Sequence, residues 1–161
     1  MTVELDGERK ERPSWDEYFL RLADVVAERG TCPRLKVGAV LVRDKNPIST
    51  GYNGAPRGIP HCEEVGCYLV NGHCKRANHS EANAIINAAY NGISTKDTIL
   101  YTRYLPCDDC AKDVVNAGVS RVVYREVYKN VDQPFTLELF EIAGIELVCI
   151  PDNKYDPLST S

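Results

Sequence analysis

TILYTRYLPCDDCAKDVVNAGVSRVVYREV, residues 98–127, is the stretch on which the fold turns. TILYT is a short β-branched and aromatic run and reads as a strand. CDDCAKDVVNAG reads as a helix that stops at Gly118, and RVVYREV as a second strand. Strand, helix, strand is the unit that joins two parallel neighbours in one sheet. Downstream, PFTLELFEIAG continues as a helix and IELVCI as a last strand. Upstream, KVGAVLV and PISTGY are β-branched runs separated by RDKN, a hairpin signal, and SEANAIINAAYNG is helix-like. The first helix is SWDEYFLRLADVVAERG, with Ser14 as N-cap, Glu17 at the capping-box position and a stop at Gly30. The expected order is αββα followed by βαβαβ. It implies an α/β fold with a largely parallel sheet covered on both faces, in which only the first hairpin is antiparallel.

The chain has 161 residues, 43% apolar and 26% charged, which suits one domain spanning 1–161 with polar tails at about 1–13 and 151–161. The N-terminus, MTVELDGERKERPSWDEY, lacks a basic start followed by an apolar run, and no stretch approaches the roughly 18 apolar residues of a membrane span. The expectation is a cytoplasmic protein. Seven cysteines, an odd number, point in a reducing compartment to metal or catalysis before disulfides. A net charge of −4 argues against a protein that lies along nucleic acid, whose phosphates are held by excess Lys and Arg. A small ligand with a single phosphate is compatible with it.

The chemistry gathers where two helices begin. His79 and Glu81 stand at the start of one, Cys107 and Cys110 at the start of another, each after a loop. Two thiolates three residues apart are held by one turn of backbone and favoured by the helix dipole, and a neutral imidazole supplies a third bond to zinc. Three protein ligands leave one position for a water, whose pKa the ion brings to about 7. Glu81, two residues from His79 and not needed as a ligand, is placed to move that water's proton. A lone C-x-x-C could equally be a redox pair or half of a structural site, and a lone H-x-E is commonplace on exposed helix starts. Together, with Pro106 before the first cysteine, H-x-E and P-C-x-x-C form the known signature of zinc deaminases.

The segments GYNGAPRG, HCEEVGC, GHC, HSEANAI and YLPCDDCAKDVVNAGV resemble the deoxycytidylate deaminase family, in its bacterial and phage branch, over about residues 15–148. The resemblance implies a cytidine deaminase-like three-layer α/β/α sandwich with a mixed, mostly parallel five-stranded sheet. It implies hydrolysis of dCMP to dUMP and ammonia, supplying dUMP for thymidylate synthesis. His79, Cys107 and Cys110 would bind a catalytic Zn2+ and Glu81 would shuttle the proton. Asn53 and Tyr128 would lie against substrate. A homo-oligomer, typically a hexamer, is implied too, with dCTP as activator, dTTP as inhibitor and Mg2+ accompanying the triphosphate. Ser80 departs from the alanine usual between the histidine and the glutamate. Its side chain could make a local hydrogen bond at the helix start.

Residues 58–85 also contain all three histidines. Beyond His79 they leave Cys62, Cys67, His73 and Cys74, a Cys/His set that suits a structural zinc stapling a loop. In the family such a site also draws on a cysteine matching Cys32, which makes five candidates for four places. Free cysteines are often just small buried hydrophobes, and Cys149, in an apolar strand, reads as core. His61 reads as a surface residue. Arg34, Lys36 and Arg57 flank the segments expected near substrate and could hold a 5′-phosphate, although exposed loop cations are usually only solvated. Tyr52, Tyr101 and Tyr104 could stack on a pyrimidine, with packing the commoner use. Two other readings are a deaminase of tRNA adenosine or of another cytosine nucleoside or nucleotide, and a non-catalytic zinc-binding module of the competence-accessory kind. A carboxylate at Glu81 distinguishes the last, since a closed structural site has no use for one.

Overall fold

A computed structural model describes residues 12–130 and 133–152, so most of both polar tails lies outside the described residues. The elements are α1 (Trp15–Ala27), β1 (Gly38–Arg43), β2 (Asn46–Tyr52), α2 (Cys62–Val65), β3 (Leu69–Val70), β4 (His73–Cys74), α3 (Ser80–Tyr90), β5 (Ile99–Thr102), α4 (Asp108–Asn116), β6 (Arg121–Tyr124), a 3-10 turn (Tyr128–Asn130), α5 (Pro134–Ala143) and β7 (Glu146–Cys149). The five long strands form one mixed sheet in the order β2-β1-β5-β6-β7, and β3 and β4 form a small separate hairpin.

Four of the five strands run the same way, and β1 is the reversed one. It is antiparallel to β2, as the hairpin signal implied, and also to β5, while β5–β6 and β6–β7 are parallel. The antiparallel character is therefore not confined to the hairpin, because β1 lies inside the sheet and β2 takes the edge. From β2 onward each crossover steps the same way across the sheet. Right-handed crossovers then put α3, α4 and α5 on one face, and α1 covers the other.

The burial pattern of β1 records both layers. Ala39 and Leu41 join Ala84, Leu100, Val114, Val122 and Phe140 in the core under α3, α4 and α5. Val40 and Val42 join Phe19, Leu20, Tyr101 and Val123 under α1. A strand buried on both faces has apolar residues at every position. Ser14 caps α1 by accepting from the Glu17 N–H at 3.1 Å. Glu17 does not complete the capping box, because its carboxylate is bound to Arg21 and Arg125 instead.

One close approach sets the position of α3. A Cβ on Gly51 would overlap the Ala84 nitrogen and the Ser80 carbonyl, so glycine at the end of β2 lets the first turn of α3 lie directly on the sheet. Gly54 then pairs with Asn78, two residues before α3 begins.

Candidate active site

The first turns of α3 and α4 meet on the same face of the sheet. His79 is the N-cap of α3 and Cys107 the N-cap of α4, both in extended backbone and neither using its side chain to cap. Their side chains are therefore available to each other. His79 Nδ1 lies 3.4 Å from Cys107 Sγ and 3.4 Å from Cys110 Sγ. All three atoms fall within 4.8 Å of one another. A tetrahedral zinc with bonds of roughly 2.3 Å to sulfur and 2.05 Å to nitrogen spaces those two ligands by about 3.6 Å, so the donor set fits such an ion in both chemistry and spacing.

The electrostatics favour a ligand in the thiolate form. A bond from the Cys110 thiol, together with His79, brings Cys107 down to about 4, although burial opposes it. Cys110 moves upward, chiefly because its bond to Cys107 holds it as the donor. Cys107 in turn pushes His79 up to about 9. Glu81 is buried, and desolvation raises its pKa above the ordinary carboxylate range. Its Oε2 lies 3.9 Å from Cys110 Sγ and accepts from Ser80 Oγ at 3.1 Å.

Several residues that sequence reading did not single out brace these groups. Asn83, in the first turn of α3, donates to the Tyr52 carbonyl at 2.8 Å and accepts from Asn78 Nδ2 at 3.3 Å, which ties the His79 backbone to the end of β2. Thr136, fully buried on α5, donates to Asp108 Oδ1 at 2.9 Å and lies 3.2 Å from the Pro106 carbonyl, on either side of Cys107. Neither has a sequence signal, since an Asn or Thr within a helix is unremarked until its partner from a distant element is known.

The other candidates divide. Asn53 sits beside the Gly54–Asn78 bridge, but its amide is engaged with backbone: Oδ1 accepts from the Val37 N–H at 2.9 Å and Nδ2 donates to the Leu35 carbonyl at 2.7 Å. Tyr128 packs edge-on against Tyr104 at 5.3 Å, near the strand end that leads to Pro106. Arg34 and Lys36 are exposed and donate to the carbonyls of Gly72 and Glu28. Arg57 is not brought to the metal-binding groups. Its guanidinium lies 4.1 Å over the Tyr90 ring and bonds Asn87, near the far end of α3. Tyr101 faces α1 in the opposite core layer and donates to Asp16 at 2.8 Å.

A second Cys cluster forms in the loop before α3. The sulfurs of Cys62, Cys67 and Cys74 lie within 4.8 Å of one another, Cys62 and Cys74 being 3.5 Å apart. Burial pushes Cys62 up to about 12. Burial acts the same way on Cys74, but the Ala77 and Arg76 backbone N–H groups outweigh it and bring that thiol down to about 7. His73 on β4 is exposed and Cys32 is buried, and both lie outside the set of three sulfurs. His61 is not a plain surface residue. It is partly buried, with Nδ1 3.1 Å from Thr31 Oγ1 and accepting from the Ala55 N–H at 3.3 Å, which links three loops around the site.

Residues 13–126 match the family model described as the cytidine and deoxycytidylate deaminase zinc-binding region. The chain is 44% identical over 135 residues to ComE operon protein 2 of Bacillus subtilis, covering 84% of this chain and 70% of that protein. It is 38% identical over 144 residues to the deoxycytidylate deaminase of Schizosaccharomyces pombe, where the match covers 84% of this chain but spans under half, 44%, of the relative's length. The fold superposes on the crystal structure of a cyanophage S-TIM5 dCMP deaminase in complex with dCMP and dUMP, with a TM-score of 0.74 and 28% identity, covering 88% of this chain and all of that one. Among the described residues no helix is long and apolar enough to cross a membrane. With the family match spanning most of the chain, it belongs to the cytidine and deoxycytidylate deaminases.

Proposed function

We propose that this chain is a zinc-dependent hydrolase that deaminates dCMP to dUMP with release of ammonia. The observation that carries the reading is the meeting of His79, Cys107 and Cys110 at two helix starts, with buried Glu81 beside them and outside the ligand set. The likeness to a dCMP- and dUMP-bound deaminase supports the choice of substrate. His79 Nδ1 and the Cys107 and Cys110 sulfurs would hold the zinc, which supplies an acidified water as nucleophile when bound. Glu81 takes the proton as water adds to C4 of the pyrimidine, delivers it to N3, and carries a further proton to the departing amine. Burial suits it to that task, since desolvation raises the carboxylate's pKa and so makes it a stronger base than an exposed glutamate.

Asn53 and Tyr128 are proposed to border the sugar and base, and Arg34 and Lys36 to be the cations nearest a 5′-phosphate; Arg57 would have to leave Tyr90 to join them. Cys62, Cys67 and Cys74 are proposed as ligands of a second, structural zinc, with buried Cys32 as the fourth in place of exposed His73, and their thiols suit a reducing cytoplasm. A hexamer with dCTP activation, dTTP inhibition and Mg2+ on the triphosphate rests on family resemblance alone.

The similarity to ComE operon protein 2, whose name states no enzymatic activity, favours a second reading, a non-catalytic zinc-binding accessory. Glu81 weighs against it, because burying a carboxylate beside a closed structural site costs stability without use. An ammonia-release screen of zinc-loaded protein on cytidine, CMP, dCMP, dCTP and adenosine tests the proposal. Turnover of dCMP above the others is expected, and no turnover of any cytosine compound would overturn it.

A further inference from the structure

We infer that Ser80 is a positioning residue for Glu81, its hydroxyl fixing the carboxylate beside the metal-binding thiol of Cys110. The inference rests on the deaminase reading above. Ser80 is 1% exposed and Glu81 6% exposed, and Ser80 Oγ donates to Glu81 Oε2 at 3.1 Å. That oxygen is also the one 3.9 Å from Cys110 Sγ. Among the described residues no other hydroxyl or amide side chain bonds this carboxylate.

The position of Ser80 explains why its hydroxyl is available. A serine at a helix start ordinarily caps the helix, but His79 occupies the N-cap and Ser80 is the next residue. Its hydroxyl is buried under α3, where it needs a partner, and it meets the carboxylate instead of a backbone N–H. The donor is also rigidly placed. The Ser80 carbonyl lies where a Cβ of Gly51 would be, so the helix start is seated on β2, and Asn83 ties the same turn to the Tyr52 carbonyl. A glutamate has three side-chain torsions and the last is broad, so an unheld carboxylate samples many orientations, few of which suit proton transfer to a substrate. A serine on a fixed backbone removes that freedom at the cost of one buried hydroxyl. An alanine there would leave the helix and the metal ligands as they are.

The test is Ser80→Ala alone and combined with Glu81→Gln, in zinc-loaded full-length protein. The expected result is a fall of about tenfold in kcat on dCMP, equivalent to ~1.4 kcal/mol, with KM changed less than about twofold and zinc content and Tm unchanged. In the Glu81→Gln background Ser80→Ala should cause no further loss, because the hydroxyl acts only through the carboxylate. An unchanged kcat, or an equal loss in both backgrounds, would overturn the inference. A readout independent of turnover is isotope-edited infrared spectroscopy with labelled glutamate. The carboxyl band that disappears in Glu81→Gln should shift in Ser80→Ala, and an unshifted band would also overturn it. Wild-type protein inactive on every cytosine compound would instead contradict the deaminase reading, leaving the infrared comparison to decide the contact.

Discussion

Glu81 is a buried carboxylate with no cationic side chain in ion-pair contact among the described residues, an arrangement that lowers stability and therefore marks the group as a candidate for chemistry. Glu81→Gln preserves shape while removing the proposed proton carrier, so it should keep zinc and fold and lose about 10²- to 10⁴-fold in kcat, measured by ammonia release. Cys107→Ala and Cys110→Ala each remove a proposed zinc ligand, and elemental analysis should show that ion lost together with activity. His79 with Glu81 and Cys107 with Cys110 were legible in the sequence because each pair is a short-range motif whose geometry one helical turn fixes. The groups that brace them were not. Thr136 meets Asp108 across 28 positions and Asn83 meets Tyr52 across 31, and such pairings exist only once the sheet has assembled. Asn53 shows the converse: the sequence marked it as a substrate contact, and the structure shows its amide fastening the loop at Leu35 and Val37.

Helix α1 illustrates how a single element is fixed by charge as well as by its apolar face. Asp16 receives two bonds from Arg121, both 2.8 Å, and one from Tyr101, while Glu17 receives two from Arg125, whose side chain is 3% exposed. Arg125→Ala would leave Glu17 and Asp24 without their inner partner and should destabilise the fold by about 2 to 3 kcal/mol in chemical denaturation. Arg121 holds the Asp16 carboxyl below its ordinary 3.8. A depressed folded-state pKa contributes stability above 3.8 that is lost as pH falls through the lowered value. The stability advantage of wild type over Asp16→Asn should therefore shrink as the pH is lowered from 5 to below 3 (~2 units), and an advantage constant with pH would disprove the pairing. Helices α1, α3, α4 and α5 and the five strands of the main sheet were readable from periodicity and punctuation, while the short α2 and the β3–β4 hairpin were not. The second antiparallel edge of β1 was not, because strand order depends on which neighbour a hairpin presents to β5, a choice that local sequence does not encode.

The whole molecule combines a sheet that presents two helix starts side by side with a loop, leading into one of them, that gathers the three free thiols of Cys62, Cys67 and Cys74. If those thiols form a metal site, purified protein should hold about two zinc ions per chain. Cys62→Ala should then release one of them, lowering Tm more than it lowers kcat, because a staple acts mainly by ordering its loop. His73→Ala should release none, since His73 stands apart from the thiols. Substrate choice is a property of the assembled cleft, where one or two charge-assisted contacts to phosphate, each about 1.5 to 3 kcal/mol, would position the base. The most direct test is kcat/KM for ammonia release from dCMP and from deoxycytidine, with zinc-loaded wild type and Glu81→Gln side by side. Wild type should prefer dCMP by at least about a hundredfold, and Glu81→Gln should retain its zinc and lose nearly all turnover. Near-normal turnover by Glu81→Gln, or equal rates on the two substrates, would contradict deamination of a nucleotide by this carboxylate.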